Sequence, residues 1–288
     1  MVAVALALHS LFGLAAPATS TLLSKAHTER LSATDLAVSG DLAGLPAGST
    51  RYLSREDLLA LPQVRYTVTD DHNFVESAEI SGVVLEDLSH ALAGDSAADL
   101  IVAICDDQYY AHYPRSYLAN HHPLLVLKVN GQPPERWPKD AEGHGQSMGP
   151  YMISHKQFSM RGQTTPAEEP QIPWGVVGVE FRNEQSFFAA IAPPRRASDL
   201  NVQAGYRIAR QNCLRCHNLG DEGGLKAGHP WLVLSAWATA SPAHFAAYVR
   251  NPQSENPRAQ MPANPAYDSQ TLQALIAYFK TFQSPEKP

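Results

Sequence analysis

Residues 211–220 read QNCLRCHNLG and contain Cys213-Leu214-Arg215-Cys216-His217, a C-x-x-C-H. Two thiols one helical turn apart reach the two vinyl groups of a haem, and the adjacent histidine then stands over the iron as proximal ligand. Other chemistries also pair cysteines. A structural zinc ion takes four ligands, and the chain has three cysteines with no second pair. A thioredoxin-type redox pair belongs in a β-α-β setting, whereas this pair follows a helix-patterned stretch. The motif predicts one covalent haem c, attached through Cys213 and Cys216 and ligated by His217.

The sixth iron ligand should lie downstream. Met261, in RAQMPANP, is the only methionine after the motif. A thioether in a proline-bounded loop before the last helix is well placed to reach the other face. His229 and His244 are rival ligands. A His/Met pair raises the potential relative to His/His. It also leaves no open site for substrate, which argues for electron transfer over oxygen or peroxide chemistry.

The segment around the motif reads as helices. DLNVQAGYRIARQ places Val202, Tyr206 and Ala209 at i, i+4, i+7. SPAHFAAYVRNP opens with Ser241 as N-cap and Pro242 at N1, and Pro252 stops it. DSQTLQALIAYFKTF has Asp268 as cap, then Leu272, Leu275, Ile276 and Phe279 on one face. Each is too short to stand alone, and a haem supplies a common core.

The 288 residues suffice for two domains. APPRRASDL, residues 192–200, reads as a linker at 194–198, dividing a front domain over 30–193 from a helical domain over 199–286. Short apolar runs, LIVAICDD, LLVLKVNG and GVVGVEF, predict buried strands, and Asn130-Gly131 a turn. SREDLLAL carries Ser54 and Asp57 in a capping pattern, and LEDLSHAL puts Leu85, Leu88 and Leu92 on one helix face. The front domain is predicted to be α+β and the back domain all-α. Residues 1–18 read as a secretory signal with cleavage after Ala18, which places the protein in the periplasm. An uncleaved anchor is the alternative. No later stretch is apolar and long enough to span a bilayer. Residues 199–288 carry a net charge of +2 and the rest −8, and an acidic front is a poor nucleic-acid binder.

Over residues 199–286 the chain resembles class I cytochrome c domains. Gly205 matches the close contact between that family's first and last helices, and Tyr278 the aromatic that meets it. Pro230, in GHPW, matches the proline whose carbonyl holds the proximal histidine Nδ1–H. The family's frequent Phe is replaced by Ala209, which implies repacking with Tyr206. Residues 35–181 resemble the oxidoreductase molybdopterin-binding domain of the sulfite oxidase type, in ISGVVLEDLSHAL, LIVAICDDQYYAHYPRSYL with LLVLKVNGQPP, MGPYMISH and IPWGVVGVEF. That family ligates molybdenum through a cysteine before the first of these. Here that region, YTVTDDHNFVESAE, has none. Cys105 comes later, in a predicted buried strand, and reads as a small buried hydrophobe. The departure argues against molybdopterin and implies a cofactor-free docking or scaffold module.

His112, His121, His122, His144 and His155 crowd one region with Asp106 and Asp107; they read as exposed loop histidines in preference to a metal site. Asp70-Asp71 and Asp106-Asp107 read as solvated turns. No catalytic residue is assigned. The first reading is a periplasmic carrier of single electrons between a redox-protein donor and acceptor. Two alternatives stay open: a molybdenum-dependent, sulfite dehydrogenase-like oxidoreductase with a fused haem acceptor, and a ligand- or metal-sensing protein with a regulatory haem.

Overall fold

The structure, a computed structural model, describes residues 22–93, 97–139, 146–156, 169–194 and 199–283. The expected leader lies outside these residues, as does all of the expected linker except residue 194 and, in the histidine-rich region, His144.

Among the described residues the front domain has nine strands: β1 (Leu36–Gly40), β2 (Thr50–Leu53), β3 (Val64–Val68), β4 (Ala78–Val84), β5 (Leu100–Cys105), β6 (Tyr110–Pro114), β7 (Leu124–Val129), β8 (Tyr151–Ser154) and β9 (Trp174–Arg182). Their path runs β2-β1-β9-β8-β7-β4-β3, with β5 added to β9 and β6 to β5. All pairings are antiparallel except β1 with β9. Short α-helices decorate it: α1 (Arg55–Leu59), α2 (Leu85–Ala93), α3 (Arg115–His121) and α4 (Glu184–Phe187). The capping pattern at α1 forms as read, with Ser54 Oγ accepting from Asp57 N at 3.1 Å. Leu85, Leu88 and Leu92 of α2 are fully buried. The Asn130-Gly131 turn forms with φ of 50° and 71°, closed by Gln132 N donating to Val129 O at 2.9 Å.

The back domain is all helical: α5 (Leu200–Ile208), α6 (Trp231–Ala240), α7 (Pro242–Arg250), α8 (Pro252–Glu255) and α9 (Ser269–Lys280). Asp268 caps α9, its Oδ1 accepting from Thr271 N at 2.8 Å. α5 crosses α9 at Gly205. A Cβ there would lie 2.1 Å from Ala274 O and 2.7 Å from Tyr278 Cβ, so only glycine permits the crossing. Tyr206 does pack on Tyr278, ring centroids 5.8 Å apart.

Strand β5 explains how the halves meet. Its run LIVAIC does not alternate because both faces are covered. Ile101, Ala103 and Cys105 enter the core of the front domain, under α2 and α3. Leu100 and Val102 turn the other way, into a core shared with Phe187, Phe188 and Ile191 and with the helical domain's Val202, Trp231, Leu275 and Tyr278. Tyr278 Oη donates to Ile191 O at 2.6 Å. Among the described residues no helix is long and apolar enough to cross a membrane.

Candidate functional site: the attachment turn and the domain seam

The C-x-x-C-H stretch is shaped by a change of helical pitch. α5 widens into a π-turn over Ala209–Cys213, and Leu214 N donates back to Ala209 O at 3.0 Å. The chain then tightens, with Cys216 N and His217 N both bonding Cys213 O, at 3.2 and 3.0 Å. Leu214 and Ala209 are fully buried and anchor this turn. Cys213, Cys216 and His217 therefore project from one turn, as the spacing predicts.

Both thiols are free. Burial pushes Cys213 up to about 12 and Cys216 up to about 11. Burial disfavours both thiolates, unlike the low-pKa pair of a dithiol oxidoreductase. His217 is 9% exposed. Its Nδ1 donates to the carbonyl of His229 at 2.6 Å. An acceptor carbonyl fixes the proton on Nδ1 and leaves the Nε2 lone pair for a metal. Burial lowers its pKa, favouring that neutral form. These three side chains fit a haem c.

The acceptor corrects one expectation. The carbonyl that holds His217 belongs to His229, not Pro230. Pro230 is the N-cap of α6, and its own carbonyl accepts from Val233 N at 2.9 Å and Leu234 N at 3.4 Å. Starting that helix occupies it. Gly224 lets the intervening loop press onto the motif: a Cβ there would lie 1.8 Å from Arg215 O. Ala227 N closes the loop on Cys216 O at 3.0 Å.

Met261 lies in the loop between α8 and α9. Gln253 Nε2 donates to Ala259 O and Met261 O, each at 3.0 Å, and Asn264 Nδ2 to Val249 O at 3.0 Å. These bonds hold the loop's course. The rival histidines are exposed. His229 packs near Trp237 at 4.9 Å between centroids, and His244 Nδ1 meets Glu255 Oε2 at 3.1 Å.

The attachment turn is also where the front domain docks. Tyr110 N donates to Arg215 O at 2.9 Å and Leu225 N to Gln108 O at 3.0 Å. Across the same seam Arg210 pairs with Glu184, Arg182 with Glu222 and Lys226 with Asp107. The sequence pattern does not expose this contact; the doubly apolar run of β5 was its one signal.

In the front domain the histidines are not uniformly exposed. His112 and His155 are 1% and 3% exposed, because β6 and the residue after β8 lie inside packed layers. His121 ends α3, and His122, at φ 45°, is its left-handed cap and meets Glu86. Asp71 is likewise buried, not solvated: it accepts from Ser154 Oγ at 2.5 Å and Asn73 N at 2.9 Å. Cys105 ends β5 at 3% exposure, its thiol pushed well up by burial and by Asp107 and Asp106. Among the described residues no three His, Cys, Asp or Glu side chains gather as a metal site.

Residues 200–279 match the family of cytochrome c oxidase, cbb3-type, subunit III. Among solved structures, the chain is similar to the sulfane dehydrogenase SoxCD of Paracoccus pantotrophus at 14% identity and a TM-score of 0.34, covering 55% of this chain and 40% of that one. No curated protein matches. The C-terminal helical domain thus carries cytochrome-c-like haem attachment, fused to a mixed α+β sheet domain, and this supports an electron-transfer role.

Proposed function

We propose that the protein is a periplasmic c-type cytochrome carrying single electrons between a donor and an acceptor protein. The observation that carries this is the turn itself: two free cysteines and an imidazole held by the His229 carbonyl through Nδ1, which leaves Nε2 to ligate. Bound there, a haem supplies a one-electron couple. Cys213 and Cys216 would attach it, His217 would ligate one face, and the Met261 thioether the other. The chain would be exported by residues 1–18, with domains over 30–193 and 199–286 joined at 194–198.

The front domain serves in this reading as a docking or scaffold module without a cofactor of its own. Supporting it, the domain's one cysteine, Cys105, lies sealed in a strand with its thiol protonated.

The protein made with haem-maturation machinery is expected to show a c-type α band when reduced. Haem should stay with the chain on a denaturing gel and be lost from Cys213→Ala. Haem that separates from the parent chain on denaturation would overturn the reading. Met261→Ala is expected to bind carbon monoxide in the reduced state where the parent does not. Stoichiometric molybdenum in the purified protein would replace the scaffold role by that of an oxidoreductase.

A further inference from the structure

Among the described residues four cations lie along the seam, and three have a direct carboxylate partner. Arg182 Nη2 meets Glu222 Oε1 at 2.5 Å, Arg210 Nη2 meets Glu184 Oε1 at 2.6 Å, and Lys226 Nζ meets Asp107 Oδ2 at 2.5 Å. Their side chains are 25%, 29% and 44% exposed. The fourth, Arg215, is the most buried, 9% exposed. No ion pair among the described residues includes it.

Its acceptors are all neutral. Nε donates to Gln211 O at 2.6 Å and Nη1 to Tyr109 Oη at 3.2 Å. Nη2 donates to Asn212 Oδ1 at 3.0 Å and to Glu169 O at 3.5 Å. Glu169 offers Arg215 its backbone carbonyl, while its carboxyl faces Tyr267 and acts on Arg215 through space, without a direct ion pair. Tyr109 and Glu169 belong to the front domain, and Tyr110 N binds the Arg215 carbonyl from the same side. The front domain both dries this guanidinium and hydrogen-bonds it. A buried charge without a direct ion pair is costly, and the fold supplies such pairs three times along this seam. The cation it leaves without a direct ion pair stands between the two cysteines of the attachment motif.

We propose that the front domain holds Arg215 as a dry cation without a direct ion pair beside the haem attachment turn and thereby raises the reduction potential of the bound haem. The inference rests on the haem reading above. Reduction adds one negative charge at the iron centre, and a fixed positive charge nearby stabilises the reduced form. Burial weakens dielectric and ionic screening of that attraction, and a carboxylate in direct contact would cancel most of it. The front domain then sets the energy of the electron as well as the surface a partner meets.

Equilibrium redox titration of the haem-loaded full chain tests this. Arg215→Gln removes the charge and keeps a hydrogen-bond donor; its midpoint potential is expected to fall. Arg215→Lys keeps the charge and is expected to stay much closer to the parent. Asn212→Asp leaves Arg215 in place but gives its Nη2 a carboxylate, and is expected to fall as Arg215→Gln does. Potentials unmoved by Arg215→Gln and Asn212→Asp would overturn the proposal. So would Arg215→Lys falling as far as Arg215→Gln, which marks a packing effect. Should Arg215→Gln not accumulate with haem, Asn212→Asp against the parent decides. A parent without covalent haem on a denaturing gel overturns the electron-carrier reading too, whereas a loaded parent whose potential ignores these changes overturns this inference alone.

Discussion

His112 sits on β6 with its ring against Phe187 and Phe188, centroids 5.2 and 5.9 Å away. Neither ring nitrogen has a hydrogen-bond partner among the described residues. Burial, reinforced by Arg215 and Arg210, pushes its pKa down to about 3. His155, bonded through Nε2 to Tyr117 Oη at 3.0 Å, is pushed down to about 3 by burial and by His121. The folded protein excludes protons that unfolded histidines, titrating near 6.5, accept. Stability from this source is whole above 6.5 and falls as pH drops from there towards 3. Each such histidine steepens the fall by about 1.4 kcal/mol per pH unit within that window. Denaturant titrations at a series of pH values are expected to show this slope, and His112→Phe to remove its share. A slope the same in both proteins would refute the assignment. Asp71 runs the other way. Burial raises its carboxyl above 3.8 despite the bonds from Ser154 and Asn73, so the folded state binds its proton more readily. Its contribution is fullest at acid pH and is lost as pH rises through the raised value. Asp71→Asn is therefore expected to be neutral or stabilising at neutral pH. A variant that is less stable there, with no such loss in acid, would contradict the sign.

Between elements, the α5–α9 crossing is the contact with least slack. The atom a Cβ at Gly205 would meet is Ala274 O, part of a helix backbone that cannot rotate aside. Gly205→Ala must separate the helices, at the upper end of overpacking costs, roughly 3 kcal/mol. Thermal denaturation of the haem-loaded protein reads it, and an unchanged midpoint would show that α9 gives way freely. Gly205 and Tyr278 are legible through their resemblance to a known helix pair, and the turn that brings Cys213, Cys216 and His217 together through spacing alone. Strands β5, β7 and β9 are legible because short apolar runs have few other uses. Helix α6, WLVLSAWATA, has no polar face to set a period, so its pattern does not announce it. The Pro230 carbonyl differs from that of His229 by one peptide, which no pattern of residue types resolves. His112 and His155 look like loop histidines because strand burial depends on partners distant in sequence. The neutral cage of Arg215 is drawn from residues 109, 169, 211 and 212, and two of these lie some forty or more residues away.

The molecule as a whole is less divided than its sequence suggests. A linker implies a tethered haem domain whose partner is held near by effective concentration. Instead the helical domain completes the front sheet, since the second face of β5 packs into a core to which that domain contributes. The two domains share Leu100, Val102, Phe187, Phe188 and Ile191 as part of one core with α5, α6 and α9. Phe188 is 3% exposed, with the Arg210 guanidinium 4.1 Å from its ring centroid and Phe187 at 5.0 Å. Truncating it opens a cavity between the domains and should cost roughly 3 kcal/mol. If the seam is a true core, that loss is felt by both halves. Far-ultraviolet dichroism and haem absorbance, followed through one denaturant titration, are expected to coincide in the parent. In Phe188→Ala both curves should move to lower denaturant together. Two separated transitions in the parent, or a variant in which the haem signal alone shifts, would mean that the sheet stands without its helical cover. The cage around Arg215 would then have to form and break without the sheet unfolding, and the potential would vary with docking instead of being built into the fold.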